Sequence, residues 1–91
     1  MNKLKLVKYG HDYCGPCKML SPVLKEISTE LSDTLVYEEK NTYNEKPEDL
    51  HELGIRAVPT TILYKDDQEV WRHVGVISKA TLTQTIESFN K

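Results

Sequence analysis

Apolar residues recur along the chain in two rhythms, and where one gives way to the other the element order can be read. Leu4, Leu6 and Val7, within the segment from Lys3 to Tyr9, read as a short first strand that ends at Gly10. Gly10-His11-Asp12-Tyr13 is then a loop. From about Cys14, Met19, Leu20, Val23, Leu24, Ile27 and Leu31 return at helical spacing, which predicts a long helix through about Ser32 with one buried face. Pro16 suits its first turn, whose N–H groups have no partner within the helix. Pro22 instead removes an interior hydrogen bond and crowds the Lys18 carbonyl, so a bend is expected at residues 18 to 22. Leu35, Val36 and Tyr37 predict a second strand over Leu35 to Lys40, followed by a polar loop from Asn41 to Lys46. Pro47 to Leu53 reads as a short helix, with proline and acids at its start and Gly54 after its end. Ile55 to Val58 lead into Pro59. Thr60 to Tyr64 then predict a third strand, Asp66-Asp67-Gln68 a turn, and Glu69 to Val74 a fourth strand that closes a hairpin. Gly75 interrupts the pattern, Ser78 suits an N-cap, and Leu82, Ile86 and Phe89 stripe a last helix through about Phe89.

This β-α-β-α-β-β-α order implies an α/β fold built on a four-stranded mixed sheet. The first two strands are parallel through a right-handed crossover, and helices cover both faces. The helix carrying Cys14 starts at the carboxyl end of the first strand, where sites in α/β sheets usually lie. At 91 residues with a 38% apolar share, the chain is expected to form one domain over 1–91 around one modest core. Its net charge of -2, from 12 basic and 14 acidic residues without a long one-signed run, gives no footprint for nucleic acid or an anionic membrane. Met1 to Lys8 carries lysines but lacks the run of about 7 to 15 apolar residues that a signal peptide shows, and nothing approaches the roughly 20 of a membrane span. A cytoplasmic monomer in a reducing compartment is expected, where a two-cysteine motif cycles rather than persisting as a bridge.

The chemistry that this frame presents is in Cys14-Gly15-Pro16-Cys17, which holds the only two cysteines. Two thiols three positions apart in the first turn of a helix face one another, close enough to form a small disulfide ring and open it again. The unpaired N–H groups and the dipole of that helix start favour thiolate at Cys14, which makes it the expected nucleophile, exposed and readily ionised. Cys17, one turn further in and shielded, is the expected resolving thiol. A structural bridge over four residues would remove little loop entropy. A metal site, the main alternative, needs about four ligands, and only His11, His51 and His73 stand ready to supplement the sulfurs. His11 and Asp12 adjoin the site, as solvated loop residues or as modulators of Cys14. Trp71 reads as a sheet-packing residue, and His51 and His73 as surface groups.

Three segments in order resemble the thioredoxin superfamily over nearly the whole chain. Cys14-Gly15-Pro16-Cys17-Lys18 is similar to the thioredoxin active-site motif, and Gly54-Ile55-Arg56 with Val58-Pro59-Thr60 to the segment bearing the cis-proline. Val74-Gly75 with Ser78-Lys79 and Leu82 resembles the last strand-to-helix junction. The resemblance implies that Pro59 is cis and lies beside Cys14, and that the Val58 backbone pairs with an extended substrate. Without it, Pro59 would simply start the third strand. Only 13 residues precede Cys14, too few for the additional N-terminal strand and helix of a full thioredoxin, so the frame looks glutaredoxin-sized; Val7-Lys8-Tyr9-Gly10 is also similar to a glutaredoxin first strand. The Gly-Gly with which glutaredoxins hold glutathione is missing, because Gly75 is followed by Val76. Tyr13 stands where thioredoxins carry tryptophan and can still offer a flat apolar surface.

Where the family has a buried acid, six residues before the nucleophile, this chain has Lys8; the family's neighbouring lysine falls at Glu39 or, counted from Pro59, at Lys40. A reversed pair of Lys8 with Glu39 or Glu38 is expected to take part in proton transfer from Cys17. Alternatively, Lys8 snorkels to the sheet edge. The resemblance implies a thiol-disulfide oxidoreductase that reduces protein disulfides without a cofactor. A groove of Tyr13, Gly15, Pro16, Val58, Pro59 and Gly75 would bind the substrate, and a thioredoxin reductase-type donor would recharge the site. The alternatives are a glutathione-recharged, glutaredoxin-like enzyme and a metal-binding or protein-binding module on the same fold.

Overall fold

The computed structural model describes residues 4–90, so the expected start of the first strand at Lys3 lies outside the described residues. Strand β1 (Leu4–Gly10) leads to helix α1 (Gly15–Glu30), then to β2 (Leu35–Asn41) and a short 3-10 turn over Thr42–Asn44. Helix α2 (Pro47–Glu52), the hairpin β3 (Thr60–Lys65) and β4 (Gln68–Val74), and helix α3 (Lys79–Phe89) complete the order. The sheet runs β2-β1-β3-β4, with β1 parallel to β2 and antiparallel to β3, and β3 antiparallel to β4. These are the element order, mixed sheet and first parallel pair expected of the sequence.

β1 is an inner strand with structure on both faces, which is why its residues are buried almost without a break. On one face Leu4 and Leu6 pack with Leu20, Leu24 and Ile27 of α1 and with Leu82 and Ile86 of α3. On the other, Val7, Tyr9 and Ile62 pack under Leu50, Leu53 and Ile55, at and just after α2. Each large aliphatic side chain taken wholly out of water contributes about 1.5 to 3 kcal/mol, so these two clusters dominate the stability. The strand's alternation carries Lys8 and Gly10 onto the same face as Leu4 and Leu6, beneath α1.

The element ends depart from the expected ones for local reasons. Cys14 caps α1 rather than beginning it, because its sulfur accepts the N–H of Cys17 at 3.1 Å. The helix runs through Pro22 and ends at Glu30, short of Ser32. Asn41 extends β2, and its side chain accepts the N–H of Tyr43 at 2.9 Å, turning part of the expected loop into the 3-10 turn. Asp66 (φ 54°) and Asp67 (φ 66°) alone make the hairpin turn, which frees Gln68 to pair with Lys65 in the ladder. Ser78 caps α3 as expected, accepting the N–H of Thr81 at 3.2 Å.

Candidate active site

The two cysteines are joined, with their Cα atoms 5.2 Å apart, at the first turn of α1. Cys14 is 6% exposed and Cys17 3%, which corrects the expectation of an openly exposed Cys14. Exposure does not separate the two sulfurs in the disulfide form; position does. Cys14 Sγ sits on the helix start and receives a backbone N–H, whereas Cys17 lies one turn inside, against β1.

The approach of Cys17 to the sheet depends on Gly10. A β-carbon at that position would lie 2.8 Å from Cys17 Sγ, closer than unbonded atoms sit, and 3.7 Å from Lys8 Cε. The sequence marked Gly10 only as a strand end.

Lys8 is buried at 5% exposure on an inner strand, so it does not snorkel to an edge. A buried ammonium needs partners, and it has three: Ser21 Oγ, Glu39 Oε1 at 3.4 Å and the Cys17 carbonyl at 3.4 Å. Of the two candidate acids the structure selects Glu39, which stands opposite Lys8 in the β1–β2 register. Glu38 turns instead to Lys5 at 3.0 Å and Lys40 at 3.5 Å. Tyr37 donates its hydroxyl to the same Oε1 of Glu39 at 2.6 Å. Burial works against ionisation of Glu39, yet hydrogen bonds from Tyr37 and Ser21 and the Lys8 charge overcome it and hold this carboxyl below the ordinary glutamate range. Burial, reinforced by the bond to Glu39, pushes the Tyr37 phenol up, so it remains a donor at neutral pH. An open pocket of about 260 Å³ gives water access to Lys8, Cys17, Ser21 and Glu39.

Ser21 and Tyr37 went unrecognised in the sequence, although each carried a signal. Ser21 lies four residues after Cys17 on one helix face, and Tyr37 two residues before Glu39 on one strand face. What hid them was the need to know which faces meet.

The expected groove residues gather at one end of the sheet. Tyr9 pairs with Thr60 and Thr60 with Val74, so the end of β1, the start of β3 and the end of β4 lie side by side. Pro59, preceded by a cis bond from Val58, is buried immediately before β3, and its carbonyl accepts the N–H of Gly75 at 2.9 Å. Gly75 has φ 99°, a conformation that favours glycine. Gly15 and Pro16 are exposed beside the disulfide, and Tyr13 is 85% exposed. Tyr43 is a further aromatic residue here, stacked on His11 at 4.8 Å and 6.3 Å from Tyr13. His11 is therefore not simply a solvated loop residue. Trp71 packs on the α1/α3 core cluster and His51 is exposed, in line with their structural readings, while His73 is only partly exposed and stacks on Trp71. Among the described residues, no group of three or more His, Cys, Asp or Glu side chains is gathered as a metal site would require, and no helix is long and apolar enough to cross a membrane.

Comparison with known proteins leads to the same chemistry. The family model described as Thioredoxin matches residues 1–88. Thioredoxin 1 of Synechococcus elongatus is 39% identical over 82 residues, covering 90% of this chain and 76% of its own. Thioredoxin of Mycobacterium tuberculosis is 41% identical over 85 residues, covering 93% and 72%. The chloroplastic M-type thioredoxin of Chlamydomonas reinhardtii is 37% identical over 84 residues, covering 92% of this chain and 59% of its own. These matches do not favour the glutaredoxin reading. With a Cys-Gly-Pro-Cys disulfide at the start of α1, a four-stranded mixed sheet and this degree of identity, the chain belongs to the thioredoxin family, the thiol-disulfide oxidoreductases that reduce protein disulfides.

Proposed function

We propose that the chain reduces protein disulfides with Cys14 as the attacking sulfur and Cys17 as the resolving one. The observation that carries this assignment is the N-cap position of Cys14, whose sulfur receives the Cys17 N–H at 3.1 Å. A backbone donor and a helix start both stabilise a thiolate at that atom. In the first step Cys14 thiolate attacks one sulfur of the substrate disulfide, forming a mixed disulfide and expelling the other substrate sulfur as a thiolate. In the second, Cys17 gives up its proton and attacks Cys14 Sγ. The Cys14–Cys17 bond forms, the second substrate thiolate leaves, and two electrons have passed to the substrate.

Tyr13, Gly15, Pro16, Val58, Pro59 and Gly75 form the surface that receives the substrate, with the Val58 backbone pairing to its extended chain. Glu39, paired with Lys8, serves the proton transfer that the second step requires. No prosthetic group takes part, since both electrons reside in the cysteine pair. Family membership implies recharging by a thioredoxin reductase. We place the working form in the cytoplasm as a monomer, an electron carrier in cell redox homeostasis, because a reducing compartment is where such a pair is continually recharged.

Equilibration with glutathione tests the reducing direction. The reference figure for thioredoxin itself is about -270 mV, and a value in that neighbourhood is expected. A potential above about -180 mV would make the chain an oxidant and overturn the proposal. Recycling in a coupled assay is expected with thioredoxin reductase and not with glutathione.

A further inference from the structure

Among the groups that could act on Cys17, Lys8 alone is a buried charge. The titratable groups around the pocket are Lys8 from β1, His11 and Asp12 from the following loop, Lys18 from α1, and Glu39 and Lys40 from β2. Asp12, Lys18 and Glu39 are exposed and His11 is partly so, where water and salt screen their charge. Lys40 is engaged with Glu38 at 3.5 Å and Glu45 at 4.0 Å. From β3 the cross-strand neighbour of Lys8 is Thr61, which carries no charge.

An ammonium has three N–H donors, and those of Lys8 have three acceptors: Ser21 Oγ, Glu39 Oε1 and the Cys17 carbonyl. The third has least need of the bond, because a carbonyl within a helix has a backbone donor four residues on. It also belongs to the same residue as the sulfur. The Gly10 geometry removes any wall between them, since Cys17 Sγ and Lys8 Cε both lie within 4 Å of the point that a side chain would occupy.

We infer that Lys8 stabilises the thiolate of Cys17, turning onto the sulfur the N–H that the disulfide form directs to the Cys17 carbonyl, and that Ser21 and Tyr37 are positioning residues that hold the ammonium there. The inference rests on the reading of Cys17 as the resolving cysteine and adds how its thiolate arises. Lys8 keeps all its protons throughout. The thiol proton of Cys17 passes to water in the pocket, with the Glu39 carboxylate as relay, and the sulfur retains the electron pair with which it attacks Cys14 Sγ. Tyr37 acts through Glu39: its hydroxyl shares Oε1 with Lys8 and fixes the carboxylate that anchors the ammonium. Ser21 fixes the ammonium directly.

The test follows thiolate absorbance against pH in the Cys14→Ser chain, with the Cys14→Ser/Cys17→Ser chain as blank, and adds Lys8→Met, Lys8→Arg or Tyr37→Phe. Lys8→Met is expected to cut the fraction of Cys17 thiolate at neutral pH by about tenfold, one pH unit in midpoint. Lys8→Arg restores most of it, and Tyr37→Phe lowers it by roughly twofold to threefold, a readout that loss of packing alone would not move. A Lys8→Met titration that matches the parent, or that shifts toward more thiolate, overturns the inference. Should Lys8→Met not fold, Tyr37→Phe decides, because it keeps the ring and removes only the hydroxyl; an unchanged titration there overturns it equally. Turnover of a protein disulfide by the unaltered chain is measured alongside. Its absence defeats the proposed function whatever the titration gives, and its presence with an unmoved titration defeats the inference alone.

Discussion

Glu39 occupies an uncomfortable position for a carboxylate, 36% exposed at its side chain yet committed to a buried lysine. Desolvation disfavours its charge, and the bonds from Tyr37 and Ser21 with the charge of Lys8 more than offset that cost. Because folding depresses its pKa, the stability it contributes is present above the ordinary glutamate value and is lost as the pH falls through the native one. Wild-type protein should therefore lose stability as the pH falls below the ordinary glutamate value of about 4.3, and Glu39→Gln should lose less over the same interval. Denaturant melts at stepped pH give the comparison. Equal slopes in the two proteins would show that the network does not hold the carboxylate as described.

Among the elements, the contact of α1 with β1 decides whether the site exists. A residue as small as Gly10 lets the helix set Cys17 against the strand, and a methyl group there would sit 2.8 Å from the sulfur. Gly10→Ala is expected to push the first turn outward and to cost about 1 to 3 kcal/mol in the oxidised form, the usual range for overpacking. Chemical denaturation reads this directly, and a loss under about 0.5 kcal/mol would mean that the helix yields freely.

The elements were legible in the sequence because their signals are local. The stripe of Leu20, Leu24 and Ile27, the cap at Ser78 and the break at Asp66-Asp67 each sit within a few residues of what they determine. Contacts between elements were not legible in this way. Pairing Lys8 with Glu39 rather than Glu38 required the β1–β2 register, and the parts played by Ser21 and Gly10 required the face that α1 turns to the sheet. The cis bond before Pro59 came from family resemblance, not from any local pattern.

Over the whole molecule, the two hydrophobic clusters divide the work. The α1/α3 side builds the larger core, with Lys79 bridging Glu26 at 2.7 Å and Glu30 at 2.5 Å across its outer edge, an exposed contact of little energetic weight. The α2 side closes the other face of the sheet. Between them the sheet presents one end at which the largely buried disulfide and Pro59 lie close to the exposed Gly15 and Pro16 and the partly exposed Gly75, and the proposed reaction takes place there. The decisive measurement is capture of the reaction halfway, by incubating reduced Cys17→Ser and Cys14→Ser chains with oxidised insulin and separating the products without reductant. A dithiothreitol-sensitive adduct through Cys14 is expected in the Cys17→Ser chain and almost none in the Cys14→Ser chain. An adduct formed chiefly through Cys17, or none in either chain, would contradict the assignment of Cys14 as the attacking sulfur.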